Sequence, residues 1–256
     1  MKKYLQVSNG VAFIATVFIN YLSNTGALNN STIGKISQEL NSLFTPAGYA
    51  FSIWGLIYLL LFCFVIYQGR SLFVKVKNDD FIEKIGFWFI ISCVANSAWV
   101  FAWIYEYTGL SCVFIFLLLF SLLKIVDNNK MQIVKASKAT HFFIWLPFAI
   151  YSGWVTVASV ANVSSYLIKI DWNGFGISPE IWTIVMIVVA TIINILVLWK
   201  RNMKAFVFVG VWALIAIAIA NKTRINNIDV VAYISAAILF VNAAIHQFKN
   251  AKKLIG

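Results

Sequence analysis

The stretch that decides the fold class of this chain is FTPAGYAFSIWGLIYLLLF, residues 44–62. It begins with the turn formers Pro46 and Gly48 and continues as an apolar segment without a charged side chain. Trp54 and Tyr58 are four residues apart, so a helix would carry both rings on one face. The pattern predicts a loop that bends back over a surface and leads directly into an apolar helix.

The composition of the whole chain indicates whether water or lipid surrounds that helix. Hydrophobic residues make up 61% of the 256 residues and charged residues 11%, and the mean hydropathy is +0.85. Soluble domains carry about 25% charged residues. We therefore predict an all-α integral membrane protein.

Apolar segments of spanning length recur along the sequence. A bilayer core about 30 Å thick requires about 20 helical residues for each crossing. By that measure the sequence predicts eight transmembrane helices, at residues 7–27, 48–68, 86–105, 109–126, 141–163, 181–199, 205–221 and 228–248. The break between the third and fourth spans is short, which leaves a seven-span count open.

The basic residues favour the eight-span topology. With the amino terminus in the cytoplasm, sixteen of the twenty Lys and Arg residues fall in inside segments, and only Lys35, Lys169, Lys222 and Arg224 fall outside. This asymmetry follows the positive-inside rule. We predict a multi-pass protein with both termini in the cytoplasm, in a bacterial inner (plasma) membrane. The net charge of +11 then reflects topology and attraction to an anionic lipid bilayer, and no nucleic acid partner is expected.

The spans lack the side chains that several function classes require. No Asp, Glu, Lys or Arg lies in the middle of a span, which disfavours an ion-driven pump. The three cysteines have neither metal-ligand nor CxxC spacing, and the two histidines lie on different predicted helices. We expect no metal site, no resident cofactor and no catalytic residues, and hence no enzyme.

The polar side chains within the spans are mainly amides and aromatic rings. Trp54, Trp99 and Trp154 each lie well inside a span, and Asn96 and Asn162 lie in the same spans as two of them. One interpretation is structural, since an asparagine that bonds a neighbouring helix contributes about 0.6–2 kcal/mol. The other is a pocket, because large rings with a few polar groups line sites for flat apolar ligands. For each residue both interpretations stay open.

Three motifs in this order resemble the tryptophan-rich sensory protein family, TspO, also known as translocator protein or peripheral benzodiazepine receptor. PAGYAFSIWGLIY, residues 46–58, is similar to the family's entry into its second helix. ANSAWVF, residues 95–101, is similar to the third-helix NxxW motif, and WVTVASVAN, residues 154–162, to the fifth-helix WxxxAxxxN pattern. One departure is that the family's Pro-Pro doublet is Pro46-Ala47 here.

The resemblance implies a division of the chain and a ligand site. It implies a TspO-like five-helix membrane domain at residues 1–165 and a three-helix membrane extension at residues 166–256. The loop at residues 28–47 would cover a pocket among the first five helices. The ligand-binding residues that the resemblance implies are Tyr49, Trp54, Tyr58, Asn96, Trp99, Trp154, Ala158 and Asn162.

Three functions are weighed from these observations. The resemblance implies a membrane receptor or sensory protein that binds porphyrin, haem or another flat hydrophobic ligand in an intramembrane aromatic pocket. The alternative is a facilitator or transporter of a neutral hydrophobic solute, which the three additional helices favour. An enzyme that breaks down bound porphyrin in light, as proposed within the family, ranks last.

The sequence also bears on two further partners, a sterol-like ligand and a second copy of the chain. Residues 163–169 fit the loose V-x-Y-x-K sterol pattern, so a sterol-like ligand is an alternative to a tetrapyrrole. The simpler interpretation, which we favour, is that Tyr166 and Lys169 are interface anchors. A homodimer is left open.

Overall fold

All regular structure in the described part of the chain is helical. The computed structural model describes residues 1–76, 79–224 and 227–255, the last six of these as backbone only. In chain order the helices are α1 Lys2–Thr25, α2 Ile33–Glu39, α3 Ile53–Gly69, α4 Phe81–Ile85, α5 Trp88–Ile104, α6 Thr108–Asn128, α7 Lys138–Thr140, α8 Leu146–Lys169, α9 Pro179–Arg201, α10 Lys204–Asn221 and α11 Ile228–Ile255.

The helices confirm the all-α integral membrane fold. Within the described residues, seven helical segments are long and apolar enough to cross a bilayer. The third predicted span, at residues 86–105, corresponds to α5, an apolar helix of 17 residues, which at 1.5 Å per residue is about 25 Å long. The short helices α2 and α4 lie in the connections, whereas α7 continues through a π-helical turn into α8 as one helical segment, Lys138–Lys169.

Local sequence explains where the long helices begin and end. α1 stops at Gly26, which adopts the left-handed conformation with a φ of 78°. The side chain of Ser178 accepts a hydrogen bond from the backbone of Ile181 at the start of α9. Pro147 lies in the first turn of α8, where its missing N–H costs least, directly after a π-helical turn at His141–Trp145.

One end of the bundle, here the terminal face, carries the first residues of the chain and most of the basic ones. Lys2 Nζ lies 2.7 Å from Asp79 Oδ1, and Arg201 lies 3.2 Å from Asp127. The bond from Lys2 lowers the pKa of the Asp79 carboxyl. Lys77, which belongs to the same basic segment in the sequence, lies outside the described residues. Asn128 Nδ2 donates to the carbonyl oxygen of Lys84, and Asn202 Nδ2 to that of Gln132. The connections α3–α5, α6–α8 and α9–α10 therefore lie on one side.

The opposite end, here the loop face, is fastened by a separate set of contacts. Lys169 Nζ lies 2.8 Å from the Glu106 carboxylate, and the Arg224 guanidinium donates to Asn41 Oδ1 over 2.5 Å. α6 runs from the loop face to the terminal face. Successive connections therefore lie on alternate faces of the bundle, which is the arrangement expected for an even number of spans.

Close packing ties the last three long helices to the earlier ones. A Cβ added at Gly153 of α8 would lie 3.0 Å from the carbonyl oxygen of Phe206 in α10. A Cβ at Gly210 of α10 would lie 2.5 Å from Asn194 Oδ1 in α9. The predicted boundary at residue 165 falls within α8, and the division into 1–165 and 166–256 stays a prediction.

Gly210→Ala tests this packing. Because the added methyl group would overlap the Asn194 amide, we expect a loss of about 1–3 kcal/mol in unfolding free energy. The measurement is thermal unfolding in detergent. Gly69→Ala is the matched control, since a Cβ there meets nothing within 4 Å; equal effects of the two substitutions would contradict the close approach of α9 and α10.

The topology is tested by cysteine labelling from one side of the membrane. We expect Lys130→Cys, between α6 and α7, and Glu106→Cys, between α5 and α6, to be labelled from opposite sides, with Lys130 cytoplasmic. Labelling of both from the same side would contradict the eight-span arrangement.

Candidate functional site

Trp54 of α3 is the centre of an aromatic cluster between α3, α5 and α8. Its ring centroid lies 5.6 Å from that of Tyr58 and 6.2 Å from that of Trp99, both in stacked orientation. Tyr151 and Trp154 meet it edge-on, at 5.8 and 6.4 Å. These are ordinary aromatic contact distances. The cluster therefore joins three helices through one half-buried indole.

A small inner cavity lies against this cluster. Its volume is about 40 Å³, room for a few water molecules. It is lined by Ile33, Ser37, Pro46, Phe51, Trp54, Trp99, Trp103, Trp154, Val157, Ala158, Ala161, Asn162 and Ser165. The lining is thus four indoles, small and aliphatic side chains, and a few polar groups.

The loop between α1 and α3 covers the cavity, as its Pro and Gly residues predict. Its helix α2 is capped by Thr32 and buries Ile33 and Ile36 against the bundle. Trp103 Nε1 donates to the carbonyl oxygen of Ile33 over 3.2 Å. The backbone N–H of Ala47 donates to a carbonyl of α10. The loop is held as a lid by α5 on one side and α10 on the other.

A larger outer groove lies on the other side of the lid and of Trp54. Its volume is about 750 Å³. Polar side chains line it beside the rings, including those of Asn20, Lys35 and Gln38. Ile33, Phe51 and Trp54 line both the inner cavity and the outer groove. A three-residue wall therefore separates the two spaces.

Asn162 of α8 joins α8 to α5 and α6. Its Oδ1 accepts a hydrogen bond of 2.7 Å from Trp99 Nε1, and its Nδ2 donates to Ser111 Oγ over 2.7 Å. Nδ2 also approaches Cys112 Sγ at 3.2 Å. The amide is 2% exposed. Both ends of the side chain are engaged, which identifies it as an interhelical link that also borders the cavity.

Asn96 makes a second link through side chains from α1 and α8. Its Oδ1 accepts from Asn20 Nδ2 over 2.7 Å, and its Nδ2 donates to the Tyr151 hydroxyl over 3.1 Å. Neither the inner cavity nor the outer groove includes Asn96 in its lining. The structure therefore gives Asn96 a bridging position beneath the cluster.

Trp154 differs from Trp99 and Trp103 in its hydrogen bonding. It is 2% exposed, and its Nε1 makes no hydrogen bond within the described part of the chain. Trp99 and Trp103, on the same cavity, both donate to protein oxygens. A buried donor without a partner costs about 1–3 kcal/mol, so the Trp154 indole N–H is an unsatisfied polar group on a residue that lines the cavity.

The eight residues implied by the resemblance occupy four kinds of position. Five line the inner cavity, Tyr58 lines the outer groove and Asn96 bridges helices. Tyr49 lies apart, 42% exposed, with its ring 5.1 Å from that of Trp212 on α10. The five cavity residues are Trp54, Trp99, Trp154, Ala158 and Asn162. Ligand binding by these residues stays a prediction.

Sequence reasoning left several neighbours of the cavity out of the candidate site. Phe51 and Trp103 line the cavity, and Asn20 and Tyr151 complete the Asn96 link. Trp103 is four residues after Trp99, so helical spacing could have placed it on the same face. No local pattern pairs Asn20 with Asn96, 76 residues away.

Two further expectations from the sequence concern a metal site and a sterol contact. The described residues contain no group of three or more His, Cys, Asp or Glu side chains able to hold a metal ion. At the sterol pattern, Lys169 pairs with Glu106, and the Tyr166 ring lies against Gly109. Both side chains therefore contact other residues at the loop face, and a sterol contact stays a prediction.

Asn162→Ala tests the interhelical link. It would leave Trp99 Nε1 buried without an acceptor, so we expect a loss of about 1–3 kcal/mol in unfolding free energy, measured by thermal unfolding in detergent. The control is Asn24→Ala, whose amide bonds only within α1. An Asn162→Ala variant as stable as Asn24→Ala would contradict the link.

Comparison with known proteins supports the same family as the motifs. No curated protein and no solved structure matches the chain significantly. A family model described as TSPO-like protein matches residues 6–245, nearly the whole chain. Such a match indicates, in general, a membrane sensory or ligand-binding protein. The chain therefore belongs to the TSPO-like protein family.

Proposed function

We propose that this protein is a membrane receptor or sensory protein that binds porphyrin, haem or another flat hydrophobic ligand between α3, α5 and α8. The observation that carries the proposal is the buried Trp154 Nε1 without a hydrogen-bond partner in the wall of the inner cavity. A ligand with a hydrogen-bond acceptor would satisfy this donor. Binding would thereby recover a free energy that the unliganded protein lacks.

The shape of the site favours a flat guest. Trp54, Trp99 and Trp103 follow one another with centroids 6.2 and 6.0 Å apart and interplanar angles of 29° and 22°. The near-parallel rings give the lining flat aromatic surfaces, and the small side chain of Ala158 in the same lining leaves room. A planar conjugated molecule can stack on such faces, whereas an ion would find no charged side chain in the cavity lining.

The size of the site requires that the ligand enlarge it. Ligand pockets generally measure about 300–1,000 Å³, far more than the inner cavity. The wall of Ile33, Phe51 and Trp54 divides that cavity from the outer groove of about 750 Å³. A shift of the lid helix α2 with the Trp54 ring would join the two. We propose that the ligand occupies the joined space.

The outer groove supplies a charge that suits a tetrapyrrole acid. Lys35 lines it, and its only close carboxylate among the described residues is the exposed Glu39 at 3.9 Å. A surface pair at this distance contributes little. A porphyrin could stack its ring in the aromatic cluster and direct a propionate carboxylate towards Lys35.

A facilitator of neutral hydrophobic solutes is the second candidate, favoured by the size of the outer groove. Passage across the membrane would also need a route to the terminal face. Between the aromatic cluster and the terminal face, the fully buried rings of Phe64, Phe89 and Phe148 meet with centroids 5.1–5.9 Å apart. Uptake of a neutral pigment into vesicles without an ion gradient would support the facilitator, and this triad favours binding.

Tryptophan fluorescence with protoporphyrin tests the receptor proposal. In lipid nanodiscs we expect quenching with a dissociation constant in the micromolar range, about −8 kcal/mol. Trp154→Phe should reduce the quenching and weaken binding by about 1 kcal/mol, through the lost aromatic contact and donor. Trp199→Phe is the control, since that indole lies on α9, away from the cavity, and is 42% exposed. Failure of the parent to bind, or equal binding by both variants, would contradict the proposal.

Stability separates a ligand donor from a structural indole. Trp99→Phe removes a hydrogen bond to Asn162, whereas Trp154→Phe removes a donor that has no partner. For the same change in volume, Trp99→Phe should therefore cost about 1–3 kcal/mol more unfolding free energy. Equal losses in thermal unfolding would indicate that the Trp154 N–H already has a structural partner.

A further inference from the structure

A third cavity lies at the terminal face, on the far side of the Phe64, Phe89 and Phe148 triad from the aromatic cluster. This terminal groove has a volume of about 550 Å³. It is formed where the connection before α7, the start of α8 and the start of α10 meet. The residues that matter here are Gln132, Lys138, His141, Phe142, Leu146 and Met203. We infer that the terminal groove binds one anionic phospholipid of the adjacent leaflet.

The polar and apolar parts of the groove match the two parts of a phospholipid. Lys138 and His141 lie at the beginning of the helical stretch, with Gln132 across from them. Phe142, Leu146 and Met203 add apolar surface. A phosphate would lie between the polar side chains while the glycerol and first methylenes lie along the apolar ones. A free anion would leave that apolar surface uncovered.

The local geometry holds the rim in place. His141 Nδ1 donates to the carbonyl oxygen of Ser137 over 2.9 Å, and its ring lies 4.2 Å from that of Trp145. Asn202 Nδ2 donates to the carbonyl oxygen of Gln132 over 3.2 Å, which joins the α9–α10 turn to the opposite wall. One hydrogen bond between segments 70 residues apart therefore links the two walls.

The charge of the terminal groove favours an anionic lipid headgroup. None of the residues lining the groove is acidic, and the nearby carboxylate of Asp127 is paired with Arg201. The terminal face also carries most of the basic residues of the chain. A basic pocket between membrane helices at headgroup level is a site of the kind that binds anionic lipid headgroups. This inference is independent of any ligand at the aromatic cluster.

Native mass spectrometry of the full-length protein tests the site. The protein is presented with equal amounts of phosphatidylglycerol and phosphatidylcholine of the same acyl chains in mixed micelles. We expect preferential retention of one phosphatidylglycerol, weakened about five-fold by Lys138→Gln, as for loss of one basic residue near a lipid surface. Lys135→Gln is the matched control, because Lys135 is exposed on the same connection and does not line the groove.

Two further arms identify the location and the ligand. Ala136→Trp would fill the groove without changing its charge and should reduce retention at least as much as Lys138→Gln. Glycerol phosphate, the headgroup without its chains, should not displace the lipid. Equal retention of both lipids by the parent, equal losses from Lys138→Gln and Lys135→Gln, undiminished retention by Ala136→Trp, or full displacement by glycerol phosphate would each overturn the inference.

Discussion

The hydrogen bond from Trp99 Nε1 to Asn162 Oδ1 is the interaction on which the rest of the site depends. Water is scarce within a bilayer, so polar groups inside the bundle are stabilised chiefly by protein partners. This bond of 2.7 Å sets α5 against α8, and Asn162 continues to Ser111 on α6. The bond therefore holds Trp99 and Trp103 of α5 and Trp154 of α8 around one cavity in a defined arrangement. Against that background the Trp154 N–H, which has no partner, is informative.

The two ends of the molecule are chemically different. At the loop face, α2 closes over aromatic rings and a small cavity; at the terminal face, basic side chains border an open groove. Three buried phenylalanines lie between them, with Phe64 about 9 Å along α3 from Tyr58. We therefore expect no open channel between the inner cavity and the terminal groove. This arrangement suits a protein that holds ligands from each side more than one that moves them across.

Hydropathy and charge were sufficient to predict the long helices. The span at residues 109–126 is Thr108–Asn128 in the structure, and that at 141–163 begins in a π-helical turn and ends at Lys169. The partners of buried amides were not predictable, because in an apolar span every face has similar hydropathy and no period marks the buried one. Asn96, which the resemblance implies as a ligand-binding residue, bridges α1 and α8 through Asn20 and Tyr151, and its part in binding stays a prediction. The family model, which matches residues 6–245, also extends beyond the motifs that carried the resemblance.

The central claim is that Trp154 holds its indole N–H for a ligand, and nuclear magnetic resonance of ¹⁵N-labelled indoles in nanodiscs tests it most directly. The Trp154 signal is assigned by its absence in Trp154→Phe and followed during titration with protoporphyrin. We expect a downfield shift of the Trp154 N–H as it gains an acceptor, with little change for Trp99, which already donates to Asn162. A Trp154 signal that stays unchanged while the protein becomes saturated with porphyrin would contradict the account.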